Sequence, residues 1–218
     1  MTITSTAGTD DGGTSGVEDF ALTFTSNEAT ANFAVGDITS TGGDGCTLAS
    51  FGAVGGSTTV YSATCAPDND GETMNVLVAA DAYTDTAGND NAVSNTFDWT
   101  YDGTDPTMVI TSTAGTADGG TSGVAAFALT FTSSETTANF IVTDITATGG
   151  DGCTLGAFNQ GNTAAIYTAT CTPDNAGETV NVLVAADTYT DTAGNDNTVS
   201  NTFDWTYETT DPTMVITS

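Results

Sequence analysis

The sequence predicts an all-β chain of two tandem β-sandwich domains. Two observations carry this prediction: the second half of the chain repeats the first, and each half contains short runs in which apolar and polar residues alternate. Alternation with a period of two is typical of a half-buried strand, and a repeat of about a hundred residues indicates an array of domains. No run shows a sustained helical period, so we predict no helix.

The repeat is clearest at 95–112, NTFDWTYDGTDPTMVITS, which returns at 201–218 as NTFDWTYETTDPTMVITS. Each copy indicates a strand, a short acidic hinge and a second strand. Pro106 marks the hinge because proline cannot donate to a strand ladder and forces the residue before it into an extended conformation.

This pattern predicts the domain boundaries. We expect one domain at 1–104, a second at 105–213 and the first strand of a further repeat at 214–218. Met1 aligns with Met108, an internal residue, so we expect Met1 to be an ordinary residue of the repeat. The chain is therefore expected to be part of a longer array.

Each repeat contains about seven candidate strands, and in the first repeat the Gly-rich segment 10–16 is predicted as a turn. The predicted strands are 2–6, 18–26, 30–39, 46–51, 59–65, 72–80 and 93–101. Short strands separated by turns in a module of this size favour an immunoglobulin-like sandwich over a small barrel or jelly roll. Trp99 and Trp205 alternate in phase with other aromatic residues, which indicates core packing rather than a sugar-binding platform.

The chain has 28 acidic residues and no Lys, Arg or His, for a net charge of −28. It cannot neutralise nucleic-acid phosphates, and anionic membrane surfaces would repel it. No apolar run is long enough to span a membrane, so we predict no membrane insertion in this segment. Without His, Lys or Arg it also lacks the commonest general base and every cationic transition-state stabiliser, so we predict no enzyme.

Four cysteines occur at matching places, two in each repeat: Cys46, Cys65, Cys153 and Cys171. One disulfide within each repeat is the only pairing that respects the repeat, although buried free thiols are an alternative. A zinc site is less favoured because the sequence has no CxxC motif and no His. Disulfides imply an oxidising compartment, so we predict an extracellular or cell-surface location.

The acidic loop before the last strand of each repeat is a candidate Ca²⁺ site, because Ca²⁺ prefers carboxylate, amide and carbonyl oxygens. In an immunoglobulin-like topology this loop lies at the end where the first strand enters, next to the hinge. The candidate ligands at the junction are Asp102, Asp105, Asp187, Asp191, Asn195 and Asp196, and those facing a preceding hinge are Asp81, Asp85, Asn89 and Asp90. The alternative is an ordinary turn in which Asn and Asp bond to their own backbone.

The motifs DTAGNDN at 85–91 and TDPT at 104–107, with the strand FALTFT at 20–25, resemble the bacterial immunoglobulin-like repeats of large surface proteins. The resemblance covers both repeats. It implies tandem sandwiches that form the stalk of an adhesin or another extracellular fibre, often stiffened by Ca²⁺. The paired cysteines and the absence of basic residues depart from that pattern.

We therefore predict a structural segment of such a fibre, with neighbouring repeats or protomers and divalent cations as its partners. Two alternatives remain open. The chain could itself bind a ligand or glycan, with the divergent stretch 52–60 as the place to look. It could also be a filament subunit that polymerises by donating the strand 214–218 to the next protomer.

Overall fold

The computed structural model describes residues 1–5, 10–43, 45–112, 117–150 and 152–217. The chain divides into two compact units, Met1–Thr104 and Asp105–Ser218, which we call repeat one and repeat two. Each repeat folds as two four-stranded sheets around its own apolar core, which confirms the predicted all-β sandwich. Among the described residues, no helix has the length and apolar character needed to cross a membrane.

Within its described residues, repeat one contains eight strands and two short 3₁₀ turns, Val35–Asp37 and Val54–Gly56. The strands are β1 (Thr2–Ser5), β2 (Gly13–Ser15), β3 (Phe20–Thr25), β4 (Ile38–Thr41), β5 (Cys46–Ala53), β6 (Val60–Pro67), β7 (Thr73–Val78) and β8 (Phe97–Tyr101). One sheet has the order β1-β3-β6-β5 and the other the order β2-β8-β7-β4. Neighbouring strands are antiparallel except β2 and β8, which are parallel.

Repeat two has the same topology, with a 3₁₀ turn at Val142–Asp144. Its strands are β9 (Met108–Ser112), β10 (Gly120–Ser122), β11 (Phe127–Ser133), β12 (Ile145–Thr148), β13 (Cys153–Gln160), β14 (Ile166–Pro173), β15 (Thr179–Val184) and β16 (Phe203–Tyr207). The sheets have the orders β9-β11-β14-β13 and β10-β16-β15-β12.

The cores follow from the alternation along the strands. In β3, Phe20, Leu22 and Phe24 are buried while the residues between them face outward, as a period of two requires. Trp99 of β8 is fully buried, with its ring centroid 4.5 Å from that of Phe20 in the opposite sheet. The prediction that the tryptophans belong to the core is confirmed, and burying each large side chain contributes about 1.5–3 kcal/mol.

Both disulfides join neighbouring strands of one sheet, and each lies within one repeat as the sequence predicted. Cys46 in β5 is bonded to Cys65 in β6, with 5.5 Å between their Cα atoms. Cys153 in β13 is bonded to Cys171 in β14 in the same way. Because β5 and β13 are edge strands, each disulfide fixes an edge strand to the interior of its sheet.

Two segments of repeat one differ from the predicted elements. The predicted turn at 10–16 contains the short strand β2, because the backbone of Gly13–Ser15 pairs with β8 despite the absence of any alternating pattern. The predicted strand at 30–39 is wrong for most of its length, because only an isolated bridge at Thr30 and the start of β4 at Ile38 are paired, with the 3₁₀ turn Val35–Asp37 between them. Asp37 favours that turn because its carboxylate accepts the N–H of Ala34 at 2.8 Å, which replaces a ladder hydrogen bond.

The last strand also begins later than the predicted Val93, which is 61% exposed. Shortly before β8, the side chains of Ser94 and Asn95 bond to the backbone of other strands. Ser94 Oγ accepts the N–H of Val78 at 2.9 Å. Asn95 Oδ1 accepts the N–H of Ile3 at 2.7 Å, and its Nδ2 donates to the Ile3 carbonyl at 3.1 Å. This amide clamp ties β1 to the start of β8, and Asn201 makes the same contacts with Ile110 in repeat two.

Replacing Cys153 and Cys171 together with alanine should lower the free energy of unfolding of repeat two by about 3 kcal/mol. The disulfide closes a loop of 18 residues, and opening it restores entropy to the unfolded chain. Denaturant unfolding followed by NMR signals of each repeat measures the change. Repeat one serves as the internal control and should be unaffected; an unchanged midpoint for repeat two would contradict the prediction.

Candidate functional site

The acidic loop of repeat one is organised around the carboxylate of Asp85. Its Oδ1 accepts the N–H groups of Ala87 and Asn89, each at 2.8 Å, and its Oδ2 accepts Nδ2 of Asn89 at 2.8 Å. These bonds lower the pKa of Asp85, with the side-chain amide of Asn89 as the largest cause. The carboxylate therefore closes a turn of its own loop.

Repeat two builds the same turn around Asp191, which is 2% exposed. Its Oδ1 accepts the N–H of Gly194 at 2.6 Å and that of Asn195 at 2.9 Å, and its Oδ2 accepts Nδ2 of Asn195 at 2.9 Å. Gly194 has φ of 96°, a left-handed conformation that favours glycine. In both loops the Asp and Asn side chains bond to their own backbone, which is the local behaviour expected of the turn alternative.

Asn197 fixes the end of the loop in repeat two and was missed by sequence reasoning. It is 1% exposed. Its Oδ1 accepts the N–H groups of Thr188 and Tyr189 at 2.9 Å, and its Nδ2 donates to the carbonyls of Ala185 and Thr198 at 2.8 Å. Asn91 makes the matching bonds in repeat one. The signal in the sequence is the recurrence of this asparagine at the end of both loops.

In repeat one the loop and the turn after β3 enclose a cleft of about 270 Å³. The lining residues are Met1, Ser26, Asn27, Glu28, Tyr83, Asp85, Asn89, Asp90, Asn91 and Ala92. The cleft thus gathers three of the predicted ligands, whereas Asp81 is exposed and does not line it. Glu28 joins the set, and sequence reasoning missed it because it follows a strand far from the acidic loop along the chain.

Glu135 is the counterpart of Glu28 in repeat two. One of its carboxylate oxygens lies within 4.8 Å of a carboxylate oxygen of Asp191. Asp187 and Asp196, also predicted as ligands, are exposed. Because the sequence contains no basic side chain, no salt bridge to a side chain can neutralise the pair. Two carboxylates with amide and carbonyl oxygens nearby form a donor set that suits a hard divalent cation.

The hinge acids Asp102 and Asp105 belong to different repeats. Asp102 ends the last strand region of repeat one, where its N–H donates to the carbonyl of Ser15 at 3.1 Å. Asp105 opens repeat two and is exposed. That these two residues converge with the acidic loop of repeat two stays a prediction.

Asp70, which was not predicted, holds the hinge on the side of repeat one. Its carboxylate accepts the N–H of Gly103 at 2.7 Å and the hydroxyl of Thr104 at 2.6 Å. The Thr104 hydroxyl, and then the Gly103 N–H, lower the pKa of Asp70. The matching position in repeat two is Ala176, so the repeat pattern gave no signal for this role.

The other side of the hinge is held within repeat two. The carbonyl of Pro106 accepts the N–H of Thr198 at 3.0 Å. The carbonyl of Thr107 accepts the N–H of Ser134 at 2.9 Å, and the Thr107 N–H donates to Ser134 Oγ at 2.9 Å. The residues on both sides of Asp105 are thus bonded to their own repeat.

The family model described as a bacterial Ig-like domain matches residues 1–101 and 102–207. The two matches together cover nearly the whole chain, so the protein belongs to the bacterial Ig-like domain family and contains two tandem members of it. This confirms the resemblance carried by the DTAGNDN and TDPT motifs. A search of curated proteins finds no match.

Two solved structures are similar to most of the chain at low sequence identity. Invasin, described as a bacterial integrin-binding protein, is 14% identical over 90% of this chain and 39% of its own, with a TM-score of 0.41. InvD of Yersinia pseudotuberculosis is 15% identical over 98% of this chain and 61% of its own, with a TM-score of 0.37. The chain therefore spans less than two thirds of either structure.

Replacing Asn197 with aspartate should destabilise repeat two by at least about 2 kcal/mol at neutral pH. The change removes two buried donors and places a carboxylate oxygen against two carbonyls. Thermal unfolding as a function of pH measures the effect. Part of the loss should be recovered in acid, where the new carboxyl is protonated and can donate one bond. Asp196→Asn, at the exposed neighbour, is the control, and equal stability of the two variants would contradict the expected role.

Replacing Thr104 with valine should raise the pKa of Asp70 toward its ordinary value of 3.8, because the largest cause of the shift is removed. An NMR titration of the carboxyl group measures this. Since the pKa of Asp70 is lower in the folded protein, its bonds stabilise repeat one above pH 3.8, and this contribution is lost as pH falls through the folded pKa. Thr210→Val, the matching change in repeat two, should leave Asp70 unchanged and instead raise the pKa of Glu208, which the Thr210 hydroxyl lowers.

Proposed function

We propose that this chain is a rigid spacer in an extracellular fibre or adhesin stalk built from tandem Ig-like repeats. The observation that carries the proposal is the anchoring of the hinge. Residues 103–104 are bonded to Asp70 in repeat one, and residues 106–107 are bonded within repeat two. Only Asp105 lies between these anchors, so few backbone torsions are left to rotate one repeat against the next.

Two further features support an exposed, load-bearing setting. Each repeat has a disulfide that fixes an edge strand, and disulfides persist in oxidising compartments outside the cytoplasm. The net charge of −28 favours solubility and opposes association between like surfaces except where a cation bridges them. The partners that fit this role are neighbouring repeats or protomers of the same fibre.

Ca²⁺ at the hinges is the second part of the proposal. The pair of Glu135 and Asp191 supports it, because two carboxylates within 4.8 Å repel one another unless a cation or proton intervenes. Asp191 already accepts three hydrogen bonds from its own loop, and a carboxylate offers about four acceptor sites. Asp191 would therefore give one oxygen to the ion, and Glu135 with the hinge acids would supply the rest. The corresponding group in repeat one is Glu28 with Asp85, Asn89 and Asp90.

Thermal unfolding of the whole chain tests calcium binding. Adding about 10 mM Ca²⁺ should stabilise the protein by about 1–3 kcal/mol, the range that mass action gives for an extracellular site with a dissociation constant of about 10⁻⁴–10⁻³ M. The change is measured against chelator at matched ionic strength, because any salt screens the repulsion among the acids. Glu135→Gln, and Asp105→Asn combined with Asp191→Asn, should each reduce the shift.

Asp19→Asn is the matched control, since it removes one exposed carboxylate away from the hinge and should keep the full shift. Equal stabilisation by Ca²⁺ in every variant would mean that the ion acts by general screening. No stabilisation in the unaltered chain would reject the calcium part of the proposal, and the anchored hinge alone would then account for rigidity.

A further inference from the structure

Repeat two shows how an Ig-like repeat of this chain receives the segment that precedes it. Pro106 is buried, and its carbonyl accepts the N–H of Thr198 at 3.0 Å. Thr107 exchanges two bonds with Ser134, one through each of its backbone groups. All three bonds lie within repeat two. Two residues therefore bind the incoming segment, Thr198 at the end of the acidic loop and Ser134 in the turn after β11. We call this pair the receptor.

Repeat one carries the matching receptor. Ala92 occupies the place of Thr198 and Asn27 the place of Ser134, and both are exposed and line the 270 Å³ cleft. Among the described residues, neither of their N–H groups donates to a backbone carbonyl. The side-chain oxygen of Asn27 can accept an N–H as Ser134 Oγ does. The cleft therefore offers the same two donors and one acceptor.

The ligand that fits these groups also occurs in the chain. The sequence Thr-Asp-Pro-Thr appears at 104–107, where it enters repeat two, and again at 210–213. The second copy is exposed along its whole length. Proline fixes its own φ, so such a segment loses little conformational entropy when it binds.

We propose that the cleft of repeat one is a docking site for the Thr-Asp-Pro-Thr segment of another copy of this repeat, joined directly ahead of Met1. The inference rests on the proposed function and names the contact by which one repeat receives the next. Proline and the second threonine make the contact, while the aspartate faces solvent as Asp105 does. The covalent joint matters because three hydrogen bonds do not offset the entropy lost when a separate short segment binds.

The experiment extends the whole chain by placing a copy of its own residues 208–213 immediately before Met1. Hydrogen exchange of the Ala92 and Asn27 amides is followed by NMR in the presence of chelator. We expect exchange at both amides to slow by about tenfold or more, because they become donors in protected bonds. An extension with the same six residues in reversed order is the matched control and should leave both rates unchanged.

Two outcomes would overturn the proposal. One is unchanged exchange in the extended chain, or equal slowing with the reversed extension. The other is full protection by a separate peptide of residues 208–213 at equimolar concentration, which would make the occupant a segment of an unlinked molecule. Asn27→Ala in the extended chain should reduce the protection at Ala92. Chelator is present throughout, so this experiment does not depend on calcium binding. Unchanged exchange would therefore reject the docking site without bearing on the calcium proposal.

Discussion

The folded state has to satisfy its carboxylates without a single basic side chain. The sequence has 28 acids and no Lys, Arg or His, so the donors that the protein itself gives to its carboxylates are neutral ones, chiefly backbone N–H groups, side-chain amides and hydroxyls. Asp85 and Asp191 meet this requirement by accepting N–H groups of their own loops, and Asp37 does so at a 3₁₀ turn. The acids therefore shape the loops that connect the sheets, as well as giving the surface its charge.

The sandwich itself was predictable because its cores depend on local alternation. The side chains of β3 and β8 point inward or outward according to their place in the strand, and this pattern is visible without knowledge of any partner. The pairing of β2 with β8 was not predictable in the same way. Gly13–Ser15 has no apolar alternation, and its partner lies at the other end of the repeat, so only the assembled sheet makes it a strand.

The sequence likewise predicted some residues of the candidate site and missed others. Composition located the acidic loops, because clustered Asp, Asn and Gly residues are typical of turns and of cation sites alike. It did not find Glu28 or Asp70, whose roles depend on neighbours from other parts of the chain. It also did not find Asn197, although the partners of that side chain lie within its own loop. A side chain that bonds to a distant backbone leaves no periodic trace. The recurrence of Asn91 at Asn197 was the one internal signal available, since both repeats keep the residue and its four bonds.

The ends of the two repeats differ in the contacts made just before the Thr-Asp-Pro-Thr sequence. A Cβ atom on Gly103, whose N–H bonds to Asp70, would collide with the phenol of Tyr101 unless that ring moved. In repeat two the matching residues are Ala176 and Thr209, which means that the carboxylate and the glycine are exchanged together. The Thr-Asp-Pro-Thr sequence is the same in both copies, at 104–107 and at 210–213. The chain thus keeps this sequence while the residues that contact its first copy from repeat one change in repeat two.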